Sequence, residues 1–500
     1  MFMTLSDRRF GMKSAVCLLS LAAWNSGLLA AEPVPTARPI PLTRPEMKQL
    51  LEDMKQRPLR IPLPDLTDKD RAELGERADS YEARLRYHYM PAGETSVFGG
   101  ARPPGAGQPG QPRTGPEKSQ NGAAAAGNRD FTRNADEKMT LSYPFKTRLF
   151  WIVSRTNNCQ YCLGHQEQKL SAVGMTDDQI AALDSNWSLY SPAEQAAFAY
   201  ARKLTYEPDR LSDADIDGLR KHYTDLQILE MTTSIAGNNA INRWKEGTGV
   251  PQSKSGANFF RRGEDLPKDR PLPVESFLTP TSADYEKSVS QVATYDSESA
   301  KGKTRAAGIS HRAPLEDRAA VEAALDAARR RKSRLPMLSA EEARTALGDR
   351  APEGTLPNWM RLMANFANEA RGRIPSLTAI TDSKGDLTPL QKAQVSWIIA
   401  RQDRAWYATG VVQKRLRQLG QTDDQIHALD GNWEQFSAAD RTLFRFARHL
   451  AATPIALTDQ DVAEALSATS PRHVVQLINF VTSRAYFDRV TEAAGLPLEE

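Results

Sequence analysis

The sequence predicts an all-α protein made of two helical bundles related by internal duplication. Adding 246 to each residue number lays 155–251 over 401–497 without a gap, and Gly174–Trp187 agrees with Gly420–Trp433 at 11 of 14 positions. From Lys138 to Pro251 apolar residues recur at helical spacing, and no segment alternates as a strand would. Helix-start signals repeat in the same register. Thr176, Ser191 and Ser212, each with acids close behind, are matched by Thr422, Ser437 and Thr458. A side chain that accepts orphan N–H groups, followed by acid at the positive helix end, marks an N-terminus.

Length and composition fit this plan. Five hundred residues, 40% hydrophobic and 25% charged, are enough for two to four domains with real cores, and the repeat narrows that to two. Residues 1–31 carry Arg8, Arg9 and Lys13, then an apolar run from Ser14 to Ala23, then small residues up to Ala31. That order predicts a cleaved secretory signal and a protein exported to the periplasm or the extracellular space. Cys17 would leave with the signal, so the mature chain holds a single cysteine pair. The formal charge of +3 falls to about +1 after cleavage, which implies neither nucleic acid nor an anionic membrane as partner.

Residues 32–90 predict lead-in helices, one over Pro45–Met54 and one over Asp68–Tyr89. Residues 91–137 are too rich in Gly and Pro to pack and read as a flexible insertion. The first bundle spans 138–251, with at least five helices expected. Residues 252–314 are a Pro-punctuated linker. Residues 315–384 hold the second copy's lead-in, with helices over Leu315–Arg331, from Leu338 onward, and over Trp359–Ala370. The second bundle spans 385–500.

The chemistry concentrates in Cys159-Gln-Tyr-Cys162-Leu-Gly-His165. In the second copy these three positions are Ala405, Ala408 and Val411, while Tyr161 still matches Tyr407. Thr156, Asn157 or Asn158 could cap a helix starting near Cys159, placing that thiol where the helix end stabilises a thiolate. Residues three apart lie on neighbouring turns, so the two sulfurs can close a disulfide and His165 comes within reach of Cys162. Such a pair suits a cycle in which one thiolate attacks a peroxide or a disulfide and the other resolves the intermediate. A purely structural disulfide would close a tiny loop and stabilise little. Zinc would need further ligands, and covalent haem needs His directly after the second Cys, where Leu163 stands.

Asn158-Cys-x-Tyr-Cys162 with a closely following His, inside an all-helical segment of this length, resembles the alkylhydroperoxidase D and carboxymuconolactone decarboxylase superfamily. The resemblance covers about 138–251 directly and 385–497 through the repeat, and it implies two bundles of that family's fold. It implies a thiol-dependent hydroperoxidase or disulfide oxidoreductase with Cys162 as attacking thiolate, Cys159 as resolving partner and His165 as base. Its partners would be a hydroperoxide or disulfide substrate and an external dithiol, and no cofactor is implied beyond the redox-active cysteine pair. The family's habit of assembling identical subunits implies an internal pseudo-dimer, with higher homo-oligomers open. Two positions depart from the family pattern. Three residues usually separate the second Cys from the His, which puts the usual position at Gln166, and the relay Glu expected twelve before Cys159 is Thr147, with Glu167 as a possible substitute. The family's last helix would bring Asn238–Trp244 to the site, yet the counterpart Arg484–Arg489 differs. Two further readings stay open: a non-catalytic scaffold or binding protein with a vestigial disulfide, and an acid/base enzyme of the decarboxylase type.

Overall fold

The computed structural model describes residues 44–91, 135–185, 187–252 and 314–499, so the segment expected to be a secretory signal lies outside the described residues, as do nearly all of the expected insertion and linker. Among them the chain forms nineteen α-helices and no strand. The lead-in gives α1 (Arg44–Asp53), α2 (Asp68–Leu74) and α3 (Tyr81–Tyr89). The single helix expected over Asp68–Tyr89 is two, because Gly75 turns to φ 56° and Ser80 caps a new start by accepting from the Ala83 N–H.

The first bundle holds α4 (Tyr143–Thr156), α5 (Gln160–Ala172), α6 (Asp177–Ser185), α7 (Pro192–Tyr206), α8 (Asp213–Arg220) and α9 (Asp225–Thr248). The expected caps form. Ser191 and Glu194, and Ser212 and Asp215, make reciprocal capping boxes, and Thr176 accepts from the Gln179 N–H. After α9 the chain leaves through Gly249 at φ 69°, where a Cβ would sit 2.6 Å from Arg60 Cδ.

The second lead-in gives α10 (Arg318–Arg329), α11 (Ala340–Leu347), α12 (Asn358–Met363) and α13 (Ala367–Asp382). The helix expected over Trp359–Ala370 breaks at 364–366, where Asn365 turns its side-chain N–H groups onto the Pro336 and Leu362 carbonyls. The second bundle follows as α14 (Pro389–Asp403), α15 (Trp406–Gln418), α16 (Asp423–His427), α17 (Ala438–Ala451), α18 (Asp459–Ala468) and α19 (Pro471–Ala493). Each of these six helices starts 246 residues after its counterpart in α4–α9. Contacts repeat in the same register. Arg155 Nε bonds Asp184 at 3.1 Å and Arg401 Nε bonds Asp430 at 3.0 Å. Trp187 and Trp433 donate to the Leu183 and Leu429 carbonyls beneath Arg202 and Arg448, which gives the recurring tryptophans a packing role.

The two halves meet along α9 and α19, which pack lengthwise on each other inside one continuous apolar core. Two arginines with no solvent exposure cross this seam in opposite directions. Arg243 Nη2 donates to the Ala451 carbonyl at 2.7 Å, and Arg489 Nη2 donates to the Thr205 carbonyl at 3.0 Å. These are the same contact seen from each side, since 489 and 451 are 243 and 205 plus 246. Arg489 also grips Asp403 through two nitrogens at 2.7 and 3.2 Å. The lead-ins cross over as well: α3 lies against α19, and Asn368 at the start of α13 donates its N–H to Asp136 of the first half.

Arg489→Met leaves the Asp403 carboxylate, 1% exposed, without its cation. The unfolding free energy is expected to fall by about 3–5 kcal/mol, read as a lower urea midpoint, and an unchanged midpoint would refute the account.

Candidate functional site

Cys159 and Cys162 are joined as a disulfide, with Cα atoms 5.3 Å apart. Cys159 is itself the N-cap of α5, and its sulfur accepts the Cys162 N–H at 3.4 Å. Thr156, Asn157 and Asn158 do not cap that helix. Thr156 belongs to α4 and donates to the Ile152 carbonyl, while Asn157 is turned into the core. Asn158 takes the left-handed conformation at φ 55°, which reverses the chain and lets the Cys159 N–H reach the Ser154 carbonyl at 2.8 Å.

Both sulfur-bearing residues are sealed, with exposures of 0% and 1%. The turn holding them is tied to the seam. Asn157 Nδ2 donates to the side-chain oxygens of Asn239 and Asn242, each at 2.9 Å, its own side-chain oxygen accepts from the Thr453 hydroxyl at 3.3 Å, and its carbonyl accepts the Ile455 N–H at 3.1 Å. Asn239 accepts in turn from Arg243 Nη1. The arginine that crosses between the halves is therefore two side chains from the residue beside the thiol turn.

His165 does not meet the cysteines. It makes no hydrogen bond with either sulfur, because Cys162 points into the bundle while His165 lies on the solvent side of α5, stacked on Tyr161 at 6.2 Å between ring centroids. Lys245 covers Tyr161 at 4.6 Å and is paired with Glu82. Although His165 keeps an exposed face, the protein packed around it, then Lys169 and Lys245, lowers its pKa to about 4. Glu167 is buried. It is 5% exposed and accepts the Trp151 indole N–H at 3.3 Å.

Thr147 and Gln166, the two positions that depart from the family pattern, line a cavity of about 330 Å³ between α4, α5 and α9, closed by Glu369 and Arg373 of α13. Two buried polar atoms in its wall, Gln166 Oε1 and Asn238 Nδ2, have no hydrogen-bond partner. Lys146 is neutralised there by Glu230, which also accepts the Thr140 and Leu141 N–H groups. The structure thus brings Asn238 to a cavity beside α5 whose wall includes neither His165 nor the two cysteines.

Sequence reasoning passed over Arg243 and Arg489. The signal was present, since both are arginines 246 apart in matching helices, but the surrounding residues differ. Among the described residues no group of His, Cys, Asp and Glu is placed to hold a metal ion. No family model matches the chain, and no curated protein matches it.

Two outcomes follow from this geometry. The His165 imidazole remains neutral on titration from pH 8 down to about 5 and protonates near 4, as followed by its NMR ring-proton shifts; a midpoint near the ordinary 6.5 would show that its surroundings do not exclude the charge. The sign is that the unfolded chain takes up the proton first, so this group weakens folding as pH falls from 6.5 toward 4. The disulfide is reduced slowly by a small dithiol in native buffer and quickly in denaturant; prompt labelling of both thiols after brief native reduction would contradict their burial.

Proposed function

We propose that the protein is a thiol-dependent oxidoreductase of the alkylhydroperoxidase D type, acting through Cys159 and Cys162 on a hydroperoxide or disulfide outside the cytoplasm. The observation that carries this reading is the cysteine pair at the first turn of α5, with the Cys159 sulfur accepting a helix N–H. A sulfur in that position is stabilised as a thiolate, which makes Cys159 the better leaving group when a reductant attacks the disulfide at Cys162.

In the forward direction the Cys162 thiolate attacks the distal oxygen of the hydroperoxide. The S–O bond forms, the O–O bond breaks, and the alkoxide leaves as the alcohol after taking a proton. Cys159 then attacks the sulfenyl sulfur, closing the S–S bond and releasing water. Two electrons have passed from the dithiol to the peroxide, and an external dithiol returns them. The thiol proton passes to solvent; His165, the base that the resemblance implies, is neutral at neutral pH but has a lowered pKa and makes no hydrogen bond with either sulfur. The two halves act as an internal pseudo-dimer in which the second supports the turn of the first.

A second reading is favoured by the sealed sulfurs and by Thr147 and Gln166 standing where the family's relay Glu and His would be: a scaffold or binding protein that keeps the disulfide as a relic. Turnover of an alkyl hydroperoxide with excess dithiol separates the two. The oxidoreductase reading expects turnover that Cys159→Ser and Cys162→Ser each reduce by about 100-fold or more, since each removes a covalent step. Absence of turnover by the reduced wild type would overturn it in favour of the scaffold, and turnover surviving alkylation of both thiols would point instead to acid/base chemistry.

A further inference from the structure

The half without thiols has a cavity of its own. It measures about 310 Å³, and nine of its lining positions are those of the first cavity plus 246. Several lining residues have been exchanged. Thr147 and Gln166 of the first cavity are replaced by Ala393 and Val412, and Ala408, at the position matching Cys162, also faces the space. Lys146 and Lys169 are matched by Lys392 and Arg415, and Asn238 by Arg484. At 393, 408, 412 and 480 an apolar residue replaces a polar or sulfur-bearing one, Ser396 replaces Phe150 in the other direction, and the cations at 392 and 415 are kept with Arg484 added.

Two polar groups on one face of α19 look into this space, each with a buried atom that makes no hydrogen bond. Arg484 lies over the Phe487 ring at 4.4 Å and the Phe480 ring at 6.0 Å, with its buried Nε lacking an acceptor. One turn further on, Asp488 is 1% exposed and its Oδ2 has no hydrogen-bond partner. A buried donor and a buried carboxyl left unmet cost free energy unless something completes them. Arg415 and Lys392 do not do so. Arg415 is paired with Asp382 at 3.8 Å near the surface, and Lys392 donates to the Ile380 and Ser383 carbonyls.

We propose that this second cavity is a binding site for a small organic carboxylate with an apolar body, its head group seated between Arg484 and Asp488. The guanidinium, held flat by two aromatic rings, supplies fixed donors to the carboxylate. Burial, then the nearby Asp403 carboxylate, raises the pKa of Asp488, which favours the protonated form that can donate to the ligand. The apolar body fills the space bounded by Ala393, Ala408, Val412 and Phe480. This site uses no sulfur, and it stands whether or not the first half is an enzyme.

The test is calorimetric titration of the full protein with benzoate, beside benzamide and inorganic phosphate. Saturable benzoate binding is expected at one site, with benzamide and phosphate each weaker by about tenfold or more, since one lacks the charge and the other the apolar body. Arg484→Met is expected to weaken benzoate by about tenfold, and Ala408→Leu, which fills the cavity and leaves the charges in place, to do the same. The proposal is overturned by no saturable benzoate binding, by benzamide or phosphate binding as well as benzoate, or by loss of binding in Lys169→Met with retention in Arg484→Met. That last pattern would put the carboxylate in the first cavity.

Discussion

Two fully buried guanidiniums, Arg243 and Arg489, set the terms for the rest of the molecule. A charge of that kind withdrawn from water is tolerable only where acceptors surround it, and each half contributes some: Arg243 reaches Asn239 in its own half and the Ala451 carbonyl across the seam, and Arg489 reaches Asp403 in its own half and the Thr205 carbonyl across it. Each arginine is satisfied by both halves together. The Thr453 hydroxyl sits within 3.0 Å of Arg243 and 3.5 Å of Arg489, and also reaches Asn157, so the seam and the thiol turn belong to one polar network inside an apolar core. Movement at the disulfide therefore cannot be independent of how α9 and α19 sit on one another.

Much of the fold was legible in the residues. The helix starts depend on local chemistry, and Ser191, Ser212, Thr422 and Thr458 all cap as a short polar side chain followed by an acid or Gln should. The offset of 246 recovered six pairs of helices because apolar spacing fixes which face of a helix is buried. What remained hidden depends on tertiary placement. Breaks at Gly75 and at 364–366 answer to backbone turns that periodicity does not register. The burial of Glu167 depends on Trp151, sixteen residues earlier, arriving to donate its indole N–H. At the site, the cysteine pair was legible from spacing alone, whereas the distance of His165 from it was not: three residues along a helix can turn a side chain from the core to solvent when the first of them is already inside.

The first cavity could not have been read from its own half. Its roof is Glu369 and Arg373, more than 100 residues beyond the end of the first bundle, on a helix that belongs to the second half's lead-in. With α3 lying against α19 in return, each half is completed by a segment that precedes the other or itself along a long detour of chain. An exchange of this sort couples access to one cavity with the packing of the other half.

Asn158 and Arg404 occupy equivalent places and both turn left-handed, at φ 55° and 51°. The residues that follow, Cys159 and Ala405, leave that turn with φ −82° in both and ψ of 92° and 88°. Alanine adopts the backbone of the cysteine without any sulfur to hold it there, so the cross-link imposes no shape that the chain does not take by itself. The molecule consequently carries its own blank: one polypeptide presents the same turn with and without sulfur, and a difference in exchange rate or reactivity between the two turns reports on the thiols rather than on the architecture that bears them.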